Sequence, residues 1–417
     1  MTHLNEIYCD ANASHPLLPL VSEKLSEAMN EQSWLLSNPS SIHQRGQKAK
    51  SLVYLAKKLL IEKIGRADAE EIIFNSGATE SLNSVIQSFQ DSGDCVFTTN
   101  LEHSAVIEAV EASKASVREI ISVDSKTLWI DEEALFEKMD SLRSQQGQRR
   151  FLFVLQLGNN EIGSIYPLES FLDRLRSYAR EHGIDDQTFV LIDCAQSLCK
   201  LDDAVLRKVL YHCDYAAFSA HKIGALSGCG ALWLRSGVPY QNVFYGGAQE
   251  KGRRPGTSNI AGIYSFYIAL KYWSANQDAL MDRLTQLRDH LYAGLLKIPG
   301  MTFHAFSVEK KSSFLPNILN FKVKDCPDES LLLNLDLHNI FASNTSACHS
   351  GTLQASHVLK ALNLSDEEAR SSIRLSLSIL NSFEEIDTVI QTLQESVQRI
   401  LENRKNAEVL FPEIISQ

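Results

Sequence analysis

The sequence has no C-x-x-C pair among its eight cysteines, Cys9, Cys95, Cys194, Cys199, Cys213, Cys229, Cys326 and Cys348. That spacing suggests neither a zinc site nor a disulfide framework. Most of these thiols are expected as small buried hydrophobes in a reducing compartment. No apolar run approaches the roughly 18–20 residues needed to span a bilayer. The first residues, "MTHLNEIYCDANASHP", lack the basic and apolar stretches of a leader, so a cytoplasmic location and no membrane partner are expected. Positive charge is in deficit: 40 Lys and Arg against 51 Asp and Glu leave a formal net charge of −11. A general nucleic-acid surface is thereby disfavoured, because phosphate binding needs clustered cations. Neither a Walker A loop nor G-x-G-x-x-G occurs, and there is no internal repeat or low-complexity segment.

What is present is an α/β alternation. "DCVFTT", "RRFLFVLQL", "TFVLID" and "DYAAFSA" are short apolar runs between amphipathic stretches, the pattern of a largely parallel sheet buried on both faces. "EEIIFNSGATES" reads as a strand, a Gly turn and a helix start. "GQKAKSLVYLAKKLLIEKIG" places Leu52, Leu55, Leu59 and Leu60 on one helical face. From about 262 the texture changes to a long helical region, the strand "NILNFKV", a short strand at 339–343 and further helices. Ser365 with Glu368, and Ser382 with Glu385, each fit a capping box. The expected division is a large domain over 15–262 and a smaller one formed by 1–14 and 263–417.

Polar residues recur where the strands should end, the edge at which open α/β sheets bind ligands. In "NSGATES", Gly77 permits a tight turn, and the Ala78 and Thr79 amides stand at a helix N-terminus, either as an anion cradle or as an ordinary turn. Asp193 closes the run "FVLID", where a carboxylate is costly to bury without a cation or strong donors. It suits either a protonated ring nitrogen, with Gln196 reaching an oxygen of the same ring, or a helix cap. His103 follows another strand and suits stacking or proton transfer, or neither. Asn159 and Asn160 are turn residues or donors to a ligand.

The stretch "FSAHKIGALSGCGALWL" carries Lys222 in apolar company, which favours loss of its proton and nucleophilic attack on carbonyls. A lysine snorkelling from a strand end is the alternative. Ser219 and His221 flank it as phosphate ligands, and Thr257 in "RRPGTSN" is a further one. Cys348 lies in the small, polar segment "SNTSACHSG", the setting of an exposed nucleophilic thiol. Arg374 in "SSIRLSLS" suits bidentate grip on a carboxylate or a structural ion pair.

Taken together, "IYCDANASHP", "SNPSSIHQRGQKAK", "NSGATES", "TTNLEHSAV", "NNEIG", "LIDCAQS", "FSAHKIG", "GGAQEKGRRPGT", "SNTSACHSG" and "SSIRLSLS" resemble, in order and over nearly the whole chain, the cysteine desulfurases of the class V aminotransferase group. The resemblance implies fold type I: a large domain with a mixed, mostly parallel sheet and a smaller α+β C-terminal domain. It implies pyridoxal 5′-phosphate as cofactor, linked to Lys222. His103 would stack on the ring and help move protons. Asp193 would keep the ring nitrogen protonated, and Gln196 would reach the ring hydroxyl. Ala78, Thr79, Ser219 and His221 would hold the phosphate. Thr257 would reach the phosphate of a partner subunit's cofactor, which implies a homodimer. Asn160 and Arg374 would bind the carboxylate of L-cysteine, and Cys348 would accept its sulfur. The span from Cys348 to Leu364 matches the long-loop subgroup, which hands sulfur to a separate acceptor protein for iron–sulfur assembly or tRNA thiolation. A selenocysteine lyase or an aminotransferase on the same scaffold is the neighbouring alternative; a non-catalytic interaction protein is the remote one. The chain departs from the family after His-Lys, where a Gly-Pro-Lys-Gly turn is usual and Gly224–Gly228 read "GALSG".

Overall fold

A computed structural model describes residues 6–30, 34–67, 71–145, 149–344 and 355–410, with side chains as far as 406. Among them the elements run, in chain order, β1 (Ile7–Tyr8), α1 (Pro19–Asn30), α2 (Gln44–Lys63), β2 (Ile72–Asn75), α3 (Ala78–Ile86), β3 (Asp94–Thr99), α4 (Ser104–Ala112), β4 (Val117–Ile121), α5 (Glu132–Arg143) and β5 (Arg150–Gln156). Next come α6 (Leu168–Glu181), β6 (Thr188–Asp193), α7 (Asp203–Tyr211), β7 (Tyr215–Ser219), β8 (Gly230–Leu234) and α8 (Ile260–Leu295). The chain ends with β9 (Met301–Phe303), β10 (Ile318–Val323), α9 (Asp328–Leu337), β11 (Ile340–Phe341), β12 (Ser343–Asn344), α10 (His357–Ala361), α11 (Asp366–Arg370), β13 (Ile373–Ser376) and α12 (Phe383–Leu410). Two compact units result. One comprises Ser14–Asn159 and Ile165–Asp278; the other comprises the segment ending at Ala13, Asn160–Ser164 and the chain from Ala279. The change of texture near 262 marks the start of α8, whereas the units divide within that helix, after Asp278.

The first unit is built on a seven-stranded sheet in the order β2-β8-β7-β6-β5-β3-β4. Strands β3 to β7 pair in parallel, and β8 runs antiparallel to both β7 and β2. Parallel strands need both faces covered, so β5, β6 and β7 are buried almost from end to end. On one face α3 and α4 press Leu82, Val85, Ile86, Val106 and Val110 against Val96, Leu152, Val154 and Leu191. Each such side chain contributes about 1.5–3 kcal/mol by leaving water. The edge strand β4, "VREII", is only partly buried and carries charge.

Helix α2 forms where expected, but its buried face is not the leucine stripe. Leu52 and Leu60 are buried beside Ala49, Ala56 and Ile61, while Leu55 is 46% exposed. The stripe is rotated because Lys57 and Lys63 also turn inward, pairing with Glu250 and Asp203.

The second unit holds the sheet β12-β13-β10-β9, all antiparallel, and the parallel pair β1-β11. Tyr292, Phe303, Phe306, Phe314 and Phe321 form a chain of ring contacts in its core, with centroids 4.5–6.0 Å apart. Both expected capping boxes are present: Ser365 and Glu368, and Ser382 and Glu385, exchange their backbone N–H bonds. The seven described cysteines are all buried and unbridged.

Candidate active site

Because β3, β5, β6 and β7 are parallel, their carboxyl ends share one edge of the first unit's sheet. Strand β2 reaches the same edge, being antiparallel to β8, which is antiparallel to β7. In register, Gly230 at the start of β8 pairs with Asn75 on one side and Ser219 on the other. Gly230 has to be glycine. A Cβ there would stand 2.4 Å from Gly77 Cα and 2.6 Å from the Phe218 carbonyl oxygen.

That closeness puts the β2–α3 loop against β7. Ser219 Oγ lies 3.8 Å from where a Cβ on Gly77 would be, so its hydroxyl faces the N-terminus of α3. The loop is tied on every side. Asn75 Oδ1 accepts from the Gly77 N–H at 3.1 Å, and Asn75 Nδ2 donates to Ser81 Oγ at 2.6 Å. Glu80 accepts from the Ser76 N–H at 2.8 Å and from Arg254 at 2.9 Å. Burial opposes ionisation of Glu80, but Arg254 and Ser76 outweigh it and hold its carboxyl below the usual range. What this leaves over is informative: Gly77 gives α3 no side-chain cap, and among the described residues the Ala78 and Thr79 amides and Ser219 Oγ have no hydrogen-bond partner. Three donors thus converge at a helix N-terminus, a cup of the right chemistry for a phosphate dianion.

Strand β6 ends on Asp193, which is 7% exposed and accepts the Ala195 N–H at 2.9 Å. Burial pushes its carboxyl up to about 6, against the opposing pull of that N–H and of the Lys222 cation. A buried carboxylate with so little compensation suits a cationic N–H donor. Gln196, three residues on, is buried and accepts from Lys200 Nζ at 2.8 Å.

Lys222 stands half-buried in the single 3-10 turn Ala220–Ile223 after β7. The strands on either side are apolar, yet the amine itself lies within electrostatic reach of Asp193 and His221. His221 is lowered to about 4, by burial first and then by Lys222 and Lys200, so it is a neutral imidazole at pH 7. His103 caps α4, its Nδ1 accepting the Ala105 N–H at 3.0 Å; the neutral ring therefore carries its proton on Nε2. Behind it Glu102 is fully buried, bonded to Thr99 Oγ1 at 2.9 Å, and burial raises its carboxyl well above the usual range.

The divergent turn after Lys222 is well held. Gly224 sits at φ 85°, its carbonyl accepting the Leu18 N–H at 3.0 Å, and a Cβ there would strike Leu18 and His15. The Leu226 N–H is taken by Ser265 Oγ at 3.1 Å. Thr257 is exposed on the loop before α8 and is not brought into the cup; its neighbours Arg254, Gly256, Ser258 and Asn259 line a small cavity with Asn75 and Ser76.

The second unit carries the other two described candidates. Arg374, on β13 and 4% exposed, donates from Nη2 to Asp10 Oδ1 at 2.8 Å and from Nη1 to the Asn160 carbonyl at 3.2 Å. Its buried Nε has no partner among the described residues. The structural ion pair and a spare donor therefore coexist on one guanidinium. Cys348 lies outside the described residues. Lys200, Asp10 and Gly230 were not singled out from sequence. Asp10 and Lys200 fall in or beside segments already quoted, but their partners are not visible there.

The mixed sheet with a lysine, an acid and an anion cup at its carboxyl edge defines a fold type I pyridoxal-phosphate protein. The family model for aminotransferase class-V matches residues 7–389, and the chain belongs to that family. Its relatives include the protein named cysteine desulfurase IscS of Methanosarcina thermophila, 32% identical over 96% of this chain and 94% of that one. The NifS-like protein from Rickettsia africae superposes with a TM-score of 0.80 at 26% identity, over 94% of this chain and all of that one. SspA, solved in complex with cysteine, superposes with a TM-score of 0.69 at 25% identity, over 91% of this chain and all of that one. The cofactor of the family is pyridoxal 5′-phosphate, and the donor cup, the buried Asp193 and the nearby Lys222 fit its phosphate, ring nitrogen and aldehyde.

Proposed function

We propose that this protein is a pyridoxal-phosphate-dependent cysteine desulfurase. It converts L-cysteine to L-alanine and passes the sulfur to Cys348 as a persulfide, for delivery to a separate acceptor in iron–sulfur assembly or tRNA thiolation. What supports the reading most is the gathering of unpartnered phosphate donors, a buried carboxylate and a lysine at one sheet edge, in a chain whose relatives carry that name.

The cofactor, when bound, supplies an aldehyde for the substrate amine and a ring that draws electrons from the bonds at Cα. The Ala78 and Thr79 amides, Ser219 and neutral His221 hold the phosphate as donors. Asp193 keeps a proton on the ring nitrogen, and Gln196 donates to the ring oxygen. Lys222, as a free amine, removes the Cα proton. His103, whose Nδ1 is engaged by the Ala105 N–H, would stand beside the ring and offer the proton on Nε2. Arg374 takes the substrate carboxylate with the nitrogen that Asp10 and Asn160 leave over, and the Asn160 amide adds a donor. Cys348 attacks the substrate sulfur as a thiolate. The S–S bond forms as the C–S bond breaks, and the carbon takes a proton to leave as alanine.

The two units act as the large cofactor domain and the small domain of this fold. A homodimer completes the enzyme, with Thr257 reaching the partner's phosphate. The exposure of Thr257 and of Leu36, Ile42, Phe244 and Tyr245, the latter four 80%, 94%, 50% and 96% exposed, supports such a surface. A cytoplasmic site of action fits the reduced cysteines; among the described residues no helix is long and apolar enough to cross a membrane.

The test is direct. Purified protein supplied with pyridoxal phosphate should gain visible absorbance and release alanine and sulfide, with a thiol reductant, from L-cysteine. C348S should bind cofactor normally and lose at least about 100-fold in sulfide release. Near wild-type sulfide release by C348S would refute the persulfide route, and failure of the wild-type protein to take up the cofactor would refute the whole reading.

A further inference from the structure

The turn Gln249–Gly252, between β8 and α8, is bent against its own side chains. Glu250 (φ 48°), Lys251 (φ 57°) and Gly252 (φ 77°) stand in the left-handed region one after another. Only the glycine accepts that freely, because a Cβ is crowded against the backbone carbonyl there. Such a run persists where its surroundings over-determine it. One holding contact reaches in from another element: Lys57 Nζ, on α2, meets Glu250 Oε2, with the two side chains 9% and 6% exposed. The Gly252 N–H adds a bond to the Ala248 carbonyl at 3.1 Å, and the Gly256 N–H one to Gln249 Oε1 at 3.1 Å. A buried ion pair is a poor source of stability, since both ions give up their water, but it fixes one arrangement of the chain.

The turn leads into Arg254, whose Nε and Nη2 donate to the two Glu80 oxygens at 2.9 and 3.3 Å. Glu80 in turn accepts the Ser76 N–H at 2.8 Å, directly before Gly77 and the cup amides. Glu250 also lies within electrostatic reach of Arg254, and the two line one small cavity with Asn75 and Ser76. Charges therefore alternate from α2 to the cup, through Lys57, Glu250, Arg254 and Glu80, all in the first unit. We propose that Lys57 and Glu250 are positioning residues for the cofactor: their pair holds the left-handed turn in the shape that delivers Arg254 to Glu80, and Glu80 sets the loop whose amides form the phosphate cup. The inference rests on the cofactor reading above. Without the pair, Glu250 and Lys251 relax toward ordinary φ and draw Arg254 off Glu80. The Glu80 side chain, 7% exposed, then lacks its cation, turns toward water and gives up Ser76.

The experiment reads the dissociation constant of pyridoxal phosphate, titrated by absorbance on cofactor-free protein, with the melting temperature recorded beside it. K57M/E250Q removes both charges and keeps a Cβ at the strained position. With no ion of the pair left unpartnered it should fold, and it should bind the cofactor about tenfold more weakly than wild type. K57M/E250G lacks the same pair, but glycine takes φ 48° freely, so it should regain most of that loss. Adding E80A to K57M/E250Q should leave binding no weaker than in E80A alone, since the effect travels through Glu80. A lower melting temperature with wild-type affinity in K57M/E250Q would make the pair merely structural and overturn the role. So would K57M/E250G binding no better than K57M/E250Q, or losses that multiply when E80A is added. A wild-type protein that takes up no cofactor would instead overturn the function, before any variant is compared.

Discussion

Replacing Gly230 with alanine tests whether the cup depends on one close approach. The added methyl would sit 2.4 Å from Gly77 Cα, 2.6 Å from the Phe218 oxygen and 2.8 Å from Gly77 C, all backbone atoms with no rotamer to yield. Reaching ordinary contact requires β8 and the Gly77 loop to part by about 1 Å. Phe218 is fully buried in the sheet, whereas the Gly77 loop precedes a helix end, so the loop is what moves. The overpacking should cost about 1–3 kcal/mol, a fall of a few degrees in melting temperature. The second consequence is the diagnostic one. The Ala78 and Thr79 amides move with Gly77 while Ser219 stays with β7, so the three donors no longer converge, and cofactor affinity should drop about tenfold or more. G183A supplies the control: Gly183 has φ 65° and open space around it, so alanine strains the backbone without touching the cup. It should lower stability by about 1 kcal/mol and leave affinity alone. G230A with wild-type affinity, or G183A weakening the cofactor as much as G230A does, would refute the argument that this approach shapes the cup.

Asp193 should show a stability–function conflict. Its carboxyl is raised from 3.8 to about 6, so the cofactor-free protein loses stability as pH rises through that window and does not regain it above. D193N should therefore be more stable than wild type at pH 7 by about 1–3 kcal/mol, match it below pH 3.8, and bind cofactor poorly; equal melting curves at pH 7 would contradict the burial argument. For Arg374, R374K keeps a charge for Asp10 but loses the fork, and steady-state kinetics should show KM for cysteine up at least about 30-fold with kcat less affected. S365A removes one half of a capping box remote from the chemistry, and denaturant unfolding should register about 1 kcal/mol with activity unchanged.

The strands that the sequence made visible are those the sheet buries on both faces: "DCVFTT", "FLFVLQ", "TFVLID" and "YAAFS" have no solvent side to mark with polar residues. β4 escaped notice for the opposite reason, since its partly exposed face tolerates Arg118 and Glu119. The Leu55 misreading has a comparable cause. Hydrophobic spacing assumes that lysines face water, and here two of them are buried by ion pairs whose partners lie 140 or more positions away. The chemistry-bearing side chains were legible because each stands alone in a setting that does not suit it, a carboxylate closing an apolar strand or an amine between two. What supports them was not legible, because support is a relation between distant positions. Arg374 meets Asp10 across 364 residues, and Gly77 meets Gly230 across two strand ends. The turn "GALSG" illustrates both sides. Its departure from the family's Gly-Pro-Lys-Gly is plain in the sequence, but the compensation is not. His15 and Leu18 press on Gly224, Ser265 holds Leu226, and Ser219 is fixed by β8, so the turn that presents Lys222 is determined by contacts rather than by its own proline. A chain that supplies such contacts is free to vary the turn and keep the lysine.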